Sequence, residues 1–313
     1  MAMDKFLEKN GGLLNKPIII FGTGRSGTTV ISDIIFHHPD LAWHSNYQEL
    51  FPNSTKINYF RRLFDNSLWK LVGMNTQNNK TLINQLFFRP IERYDFWEAL
   101  TGKRIDFSRG FLLDQTATEE EKYKMRRHFA AMVKYQNRKR LTFKITGPAR
   151  MEFLHSVFPD AVFVQIIRDP VATVRSWLEV GWSDKITDQL WWTGAYTEEE
   201  LATARRLSSD PPLFAAFQYK KLMEATQYEM QKTKATVFSV HYEDFVKDPQ
   251  TFVSKLIKSV GLSPAKEVDE FMQKLSVQNR NQRPSSSSKT VLDDHTKERI
   301  RMLVGSATLN QNV

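Results

Sequence analysis

Residues 16–36 read KPIIIFGTGRSGTTVISDIIF, an apolar run broken by a glycine-rich turn and followed by a helical pattern. The run is continuous rather than alternating and rich in β-branched residues. It therefore predicts a strand buried on both faces, as in a parallel sheet. Gly22, Gly24 and Gly27 break the strand, Val30, Ile31, Ile34 and Ile35 recur at helical spacing, and Pro39 stops the helix. A strand hidden on both faces needs helices on each side, so this one stretch points the chain towards an α/β architecture.

The pattern repeats. Residues 141–145 and 161–167 read as further buried strands, and residues 236–240 as another. Between and after them, residues 119–138, 150–158, 171–178 and 249–260 carry apolar positions at helical spacing, as with Met125, Phe129, Met132 and Val133. The expected fold is one α/β domain over 1–313, with a mainly parallel central sheet flanked by helices. Its core covers about 16–284, and a flexible tail follows from about 285. Residues 51–110 are crowded with aromatics, among them Tyr59, Phe60, Trp69, Phe88, Tyr94 and Trp97, and residues 177–215 hold Trp177, Trp182, Trp191 and Trp192. Both read as helical insertions or lids over the sheet edge that form a pocket.

The turn at 22–29 is where chemistry is expected. Backbone N–H groups of a strand–turn–helix unit converge on the helix N-terminus, where the macrodipole adds positive potential. The three glycines permit tight or left-handed backbone, Arg25 adds a charge that stays on at any working pH, and Ser26, Thr28 and Thr29 supply hydroxyl donors. The competing reading is a ligand-free strand-to-helix turn. Residues 22–29 match the GxxxxGK[ST] nucleoside-triphosphate loop except that Thr28 stands in the lysine position, and the strand 161–167 ends in Arg168 instead of an aspartate. The loop is built for a phosphate-like anion, without the equipment of a nucleoside triphosphatase.

The segment Gly24-Arg25-Ser26-Gly27-Thr28-Thr29, followed by His38-Pro39, resembles the 5′-phosphosulfate loop of sulfotransferases that use 3′-phosphoadenosine 5′-phosphosulfate (PAPS). Two further landmarks are similar to that family: Arg168 at a strand end with Ser176 eight residues on, and Tyr242-Glu243-Asp244 leading into an apolar helix that ends at Gly261-Leu262. The resemblance spans about 16–264. It implies that Gly24 to Thr29 hold the 5′-phosphosulfate, that Arg168 and Ser176 grip the 3′-phosphate, and that Tyr242 lies near the adenine. From the residues alone, Arg168 is equally a salt-bridge partner of Asp169, and Ser176 a solvated helix position. Arg283, with the serines after it, is a further candidate to close over the 3′-phosphate.

Sulfuryl transfer needs a base for the acceptor's proton, cationic stabilisation of the leaving oxygen, and alignment. Arg25 occupies the slot where many family members have lysine, and a guanidinium does not give up its proton, so charge stabilisation is the role left to it. Lys144 resembles the family's sulfate-facing lysine, although two extra residues separate it from Pro148. The alternative for Lys144 is a solvated strand-end side chain. The base is expected just after the first helix, where heparan-type members are similar in carrying a glutamate, matched here by Glu49. Other branches use a histidine, which makes His44 the alternative. Each also has a plainer reading, Glu49 as a surface carboxylate and His44 as a capping or core side chain.

Composition narrows the partners. Lysine and arginine number 44 against 35 aspartates and glutamates, a formal net charge of +9, which favours an anionic ligand. The chain has no cysteine, which removes disulfides, thiolate nucleophiles and Cys-ligated zinc, and no metal-ligand cluster stands out. The apolar runs are far short of a membrane span and the N-terminus has no signal-peptide core, so a soluble, cytoplasmic enzyme with a small-molecule or carbohydrate acceptor is expected. Two other classes remain: a P-loop kinase or nucleotide-dependent transferase, opposed by the missing lysine, and a nucleic-acid binder. The second is suggested by Arg126, Arg127, Arg138, Lys139 and Arg140, a cluster that also fits a solvated helix face.

Overall fold

The computed structural model describes residues 4–52, 54–65, 88–180, 189–275 and 290–305. Five strands, β1 (Ile18–Gly22), β2 (Leu41–Ala42), β3 (Arg140–Thr146), β4 (Val162–Ile167) and β5 (Thr236–His241), form one sheet in the order β2-β3-β1-β4-β5. Every pairing is parallel. The expected parallel α/β sheet is what the chain folds into.

β1 is central and all five of its residues are buried. Its side chains alternate between two cores, as strand geometry requires. Ile19 and Phe21 pack with Phe129, Phe143 and Phe163 on one face, under the helices Glu119–Tyr135 and Met151–Val157. Ile18 and Ile20 pack with Ile31, Ile34 and Leu256 on the other, under the helices Thr28–Phe36 and Pro249–Ser259. A third cluster joins the helices Pro170–Glu179, Pro211–Thr233 and Asp294–Val304 through Val174, Trp177, Tyr219 and Ile300.

The register fixes where a ligand can sit. Gly22 pairs with Thr146 on one side and Ile166 on the other, so β1, β3 and β4 end at a common carboxyl edge. The chain leaves β1 towards β2 and leaves β4 towards β5, in opposite directions. Such a reversal, here between β1 and β4, marks the usual ligand position in open parallel sheets.

Several expected boundaries shift for local reasons. The helix expected over 119–138 ends at Tyr135, because Asn137 takes a left-handed backbone, φ 55°. Its start is sharp, with Thr118 and Glu121 closing a capping box. β2 is two residues long and carries no readable pattern. The helix Pro211–Thr233 runs for 23 residues through a stretch without clean amphipathic spacing, because its start is buried all round at Leu213, Phe214, Ala215 and Ala216. Of the aromatics read as pocket walls, Trp97 and Trp177 are fully buried core residues. Trp69 and Trp182 fall outside the described residues, as do Arg283 and the serines after it.

Candidate active site

The turn after β1 is shaped by sterics before chemistry. A Cβ at Gly22 would lie 2.5 Å from the Ile166 carbonyl, so only glycine fits between β3 and β4 there. Gly27 has φ 93° and its missing Cβ would fall 2.2 Å from the Tyr242 ring, which occupies the place a side chain would take. Arg25 also adopts a left-handed backbone, φ 69°, a conformation that costs a non-glycine residue energy. The helix Thr28–Phe36 starts at Gly27 with no side chain capping its first turn. Beside those N–H groups, the Ser26 hydroxyl is fully buried and has no hydrogen-bond partner. A buried hydroxyl without a partner is costly, and an anion cradled in this loop would satisfy it. The residues present therefore fit a phosphate-like group.

The second motif meets the first. Arg168, at the end of β4, is almost wholly buried, and its Nη1 donates to the Arg25 carbonyl at 2.6 Å. Its guanidinium stacks over the Tyr242 ring at 5.1 Å. Burial lowers its pKa, and the nearby Tyr242 and Glu243 work against that. The helix Pro170–Glu179 is launched by Asp169, whose carboxylate accepts from the Ala172 N–H at 2.7 Å, with Pro170 in the first turn. Two turns along, Ser176 Oγ accepts from Arg25 Nε at 3.0 Å, and the neighbouring Trp177 Nε1 donates to the Gly24 carbonyl at 2.6 Å. Gly24, Arg25, Arg168, Ser176 and Tyr242, scattered through the sequence, are thus one contact network. Trp177 was missed as part of it, because its indole N–H has no sequence signature.

A third group stands at the end of β3. Lys144 Nζ donates to Thr29 Oγ1 at 3.1 Å and pairs with Glu92 Oε2 at 2.9 Å. Glu92 also accepts from the Thr146 hydroxyl at 2.7 Å and from the Tyr94 hydroxyl, which itself accepts the Thr146 N–H at 2.9 Å. Burial pushes the Glu92 carboxyl up, but the Lys144 ammonium and these hydroxyls outweigh it and hold the group below its usual range. Glu92 was not singled out in the sequence: it lies in the aromatic-rich stretch, far from both Thr29 and Lys144.

The two sequence candidates for the base lie on the same wall. Residues 44–46 and 89–91 run antiparallel, with Asn46 N donating to the Arg89 carbonyl at 3.1 Å and Ile91 N to the His44 carbonyl at 3.0 Å. Glu49, on the short helix Asn46–Leu50, pairs with Arg93 at 3.0 Å and keeps 37% of its side chain exposed. His44 is buried, stacked on Phe96 at 4.3 Å, and its Nδ1 has no hydrogen-bond partner. Burial, then the charges of His128 and Arg93, pull its pKa down to about 3.

The basic cluster at 126–140 is engaged in the fold. Arg127 pairs with Asp4 at 3.0 Å, Lys139 with Asp40 at 2.8 Å, and Arg138 with Asp65. Arg126 donates to the Val157 carbonyl at 2.9 Å and Arg140 to the Val260 carbonyl at 2.6 Å. Among the described residues no helix is long and apolar enough to cross a membrane, and no group of three His, Asp or Glu is placed to hold a metal ion.

Comparison with known proteins converges on one family. A family model described as "Sulfotransferase family" matches residues 17–266. Two similar solved structures are sulfotransferase STF1 from Mycobacterium tuberculosis H37Rv and sulfotransferase STF9 from Mycobacterium avium. The first has a TM-score of 0.54 at 16% identity, over 96% of this chain and 80% of that one. The second has a TM-score of 0.52 at 16% identity, over 86% of this chain and 70% of that one. No curated protein matches the sequence at a significant level.

Proposed function

Because the chain belongs to the sulfotransferase family, we propose that it moves a sulfuryl group from PAPS to a hydroxyl or amine of a small molecule or sugar, releasing the nucleotide product PAP. What supports the donor is the joining of two anion-binding elements: Arg168 and Ser176 both contact Arg25, across 143 and 151 residues of sequence. A donor with a 3′-phosphate and a 5′-phosphosulfate is the kind of ligand that needs both at once. PAPS supplies a sulfuryl group on a phosphate that can leave with the bonding electrons.

In this reading the Gly24–Thr29 amides and hydroxyls hold the phosphosulfate, and the buried Ser26 hydroxyl gains the partner it lacks. Arg168 and Ser176 hold the 3′-phosphate, while Tyr242 props the loop from beneath and borders the base. Arg283 is carried as a further contact to the 3′-phosphate. Arg25 stabilises charge on the leaving phosphate, and Lys144, one hydrogen bond from Thr29, does so on the sulfuryl oxygens. The acceptor's proton goes to the wall made by residues 44–49 and 89–94, where Glu49 and His44 are the candidates visible in the sequence and Glu92 is the one added by the fold.

Differential scanning of the purified protein tests the donor. PAP at a hundred times its Kd should stabilise the fold by about 2.7 kcal/mol, read as a Tm rise of several degrees. ATP with Mg²⁺ should do far less. Stabilisation by ATP with Mg²⁺ and not by PAP would return the chain to the kinase reading.

A further inference from the structure

Three groups on the wall compete to take the acceptor's proton, and their placement separates them. Glu92 reaches the glycine loop through one intervening residue: its Oε2 meets Lys144 Nζ at 2.9 Å, and that ammonium meets Thr29 Oγ1 at 3.1 Å. Glu49, on the short helix Asn46–Leu50, is paired instead with Arg93 and keeps 37% of its side chain exposed. His44 is shut behind Phe96.

The Glu92 carboxylate is also aimed. Tyr94 and Thr146 both donate to Oε1, which fixes the plane of the group and leaves Oε2 turned towards Lys144. Of its side chain 16% stays accessible, and of Lys144 13%, so the pair is largely dry yet open on one side. A base needs that combination: enough access for one hydroxyl and little competing water.

Resting on the donor reading above, we propose that Glu92 is the general base, and that Lys144 is shared between it and the sulfuryl group. Without donor, the ammonium neutralises the carboxylate. A bound sulfuryl group offers Lys144 anionic oxygens beside Thr29, and the more the ammonium turns to them, the more basic Glu92 becomes. Proton acceptance is thereby tied to donor occupancy. In the transfer step, the acceptor's O–H proton passes to Glu92 as the acceptor oxygen forms its bond to sulfur. The bond from sulfur to the bridging oxygen breaks, and its electron pair leaves on the phosphate of PAP. Glu92 afterwards returns the proton to water.

The test pairs Glu92→Gln with Glu92→Asp. PAP release from PAPS is followed with water and with phenol as acceptors, and PAP binding by thermal shift. The glutamine keeps an acceptor for Tyr94 and Thr146 but takes no proton, so turnover should fall roughly 10²- to 10⁴-fold while PAP still stabilises the protein within about threefold of the wild-type Kd. The aspartate, which keeps the carboxylate, should recover part of that loss. Wild-type turnover in Glu92→Gln overturns the assignment. So does loss of PAP stabilisation together with turnover, or an aspartate variant no better than the glutamine, since each means a structural role. A wild-type protein neither stabilised by PAP nor able to cleave PAPS sinks the donor reading itself.

Discussion

Replacing Glu229 by glutamine should make this protein more stable, and by an amount that depends on pH. Glu229 lies in the helix Pro211–Thr233, is buried, and accepts the Glu152 N–H at 3.0 Å. That N–H belongs to the first turn of the helix Met151–Val157, whose N-cap Arg150 has a left-handed backbone and no side-chain cap. Glu229 is therefore a cap delivered by another helix. Burial pushes its carboxyl up from 4.5 to about 8, against the pull of the backbone N–H groups and the nearby Arg150 guanidinium. A carboxyl whose folded pKa is raised contributes fully below the unfolded value of 4.5, and that contribution is lost as pH rises towards about 8. At pH 7 the charged form has to give up its charge or be buried with it, over 2.5 units above the unfolded pKa, which costs about 3 kcal/mol at 1.36 kcal/mol per unit. Glutamine offers the same carbonyl acceptor without the charge. Urea unfolding followed by tryptophan fluorescence should show Glu229→Gln more stable by about 3 kcal/mol at pH 7 and by less than about 1 kcal/mol at pH 5. A variant no more stable than wild type at pH 7, or with a gain that does not change with pH, would refute the reasoning.

His44 works in the opposite sense. Its folded pKa lies at about 3 against 6.5 unfolded, so its contribution is present above 6.5 and lost as pH falls. In the Glu229→Gln background His44 should account for a loss of about 2 kcal/mol between pH 6.5 and pH 5, beside a comparable loss from His128, whose buried ring is pulled down to about 4. Adding His44→Gln should therefore remove about half of that limb, read by the same urea titrations. Gly27→Ala places a methyl group where the Tyr242 ring lies, on a backbone of φ 93°, and should abolish PAP stabilisation in thermal scanning. Arg168→Ala removes a buried cation that spans the loop and β4, and should weaken PAP binding on the order of 100-fold by isothermal titration. Retention of PAP affinity in Arg168→Ala would show that the 3′-phosphate is held elsewhere.

What could be read from the chain directly was whatever local physics decides. The run Ile18–Gly22 is apolar without alternation because both faces of β1 are covered, so sheet class follows from that stretch alone. Gly22, Gly24 and Gly27 announce a turn because backbone conformation and close approach leave no room for a Cβ at Gly22 and Gly27. The passage from strand through turn to helix at 18–36 was legible on the same grounds, and the nearness of Arg168 and Ser176 to that turn through the family resemblance. Tertiary structure decided which distant groups meet. Nothing in the spacing of Glu92, Thr29 and Lys144 says that they touch: β3 beside β1 brings Lys144 to the loop, and the pairing of residues 89–91 with 44–46 carries Glu92 to Lys144. Burial was equally hidden. His44 and Glu49 look alike as candidates on paper, yet Phe96 closes over one and Arg93 holds the other at the surface. The basic excess divides the same way, since its sign is a property of composition. Which cations face the loop, and which are engaged by Asp4, Asp40, Asp65 and backbone carbonyls, depends on how the helices pack, because a charge acts over a few ångströms of space and not along the chain.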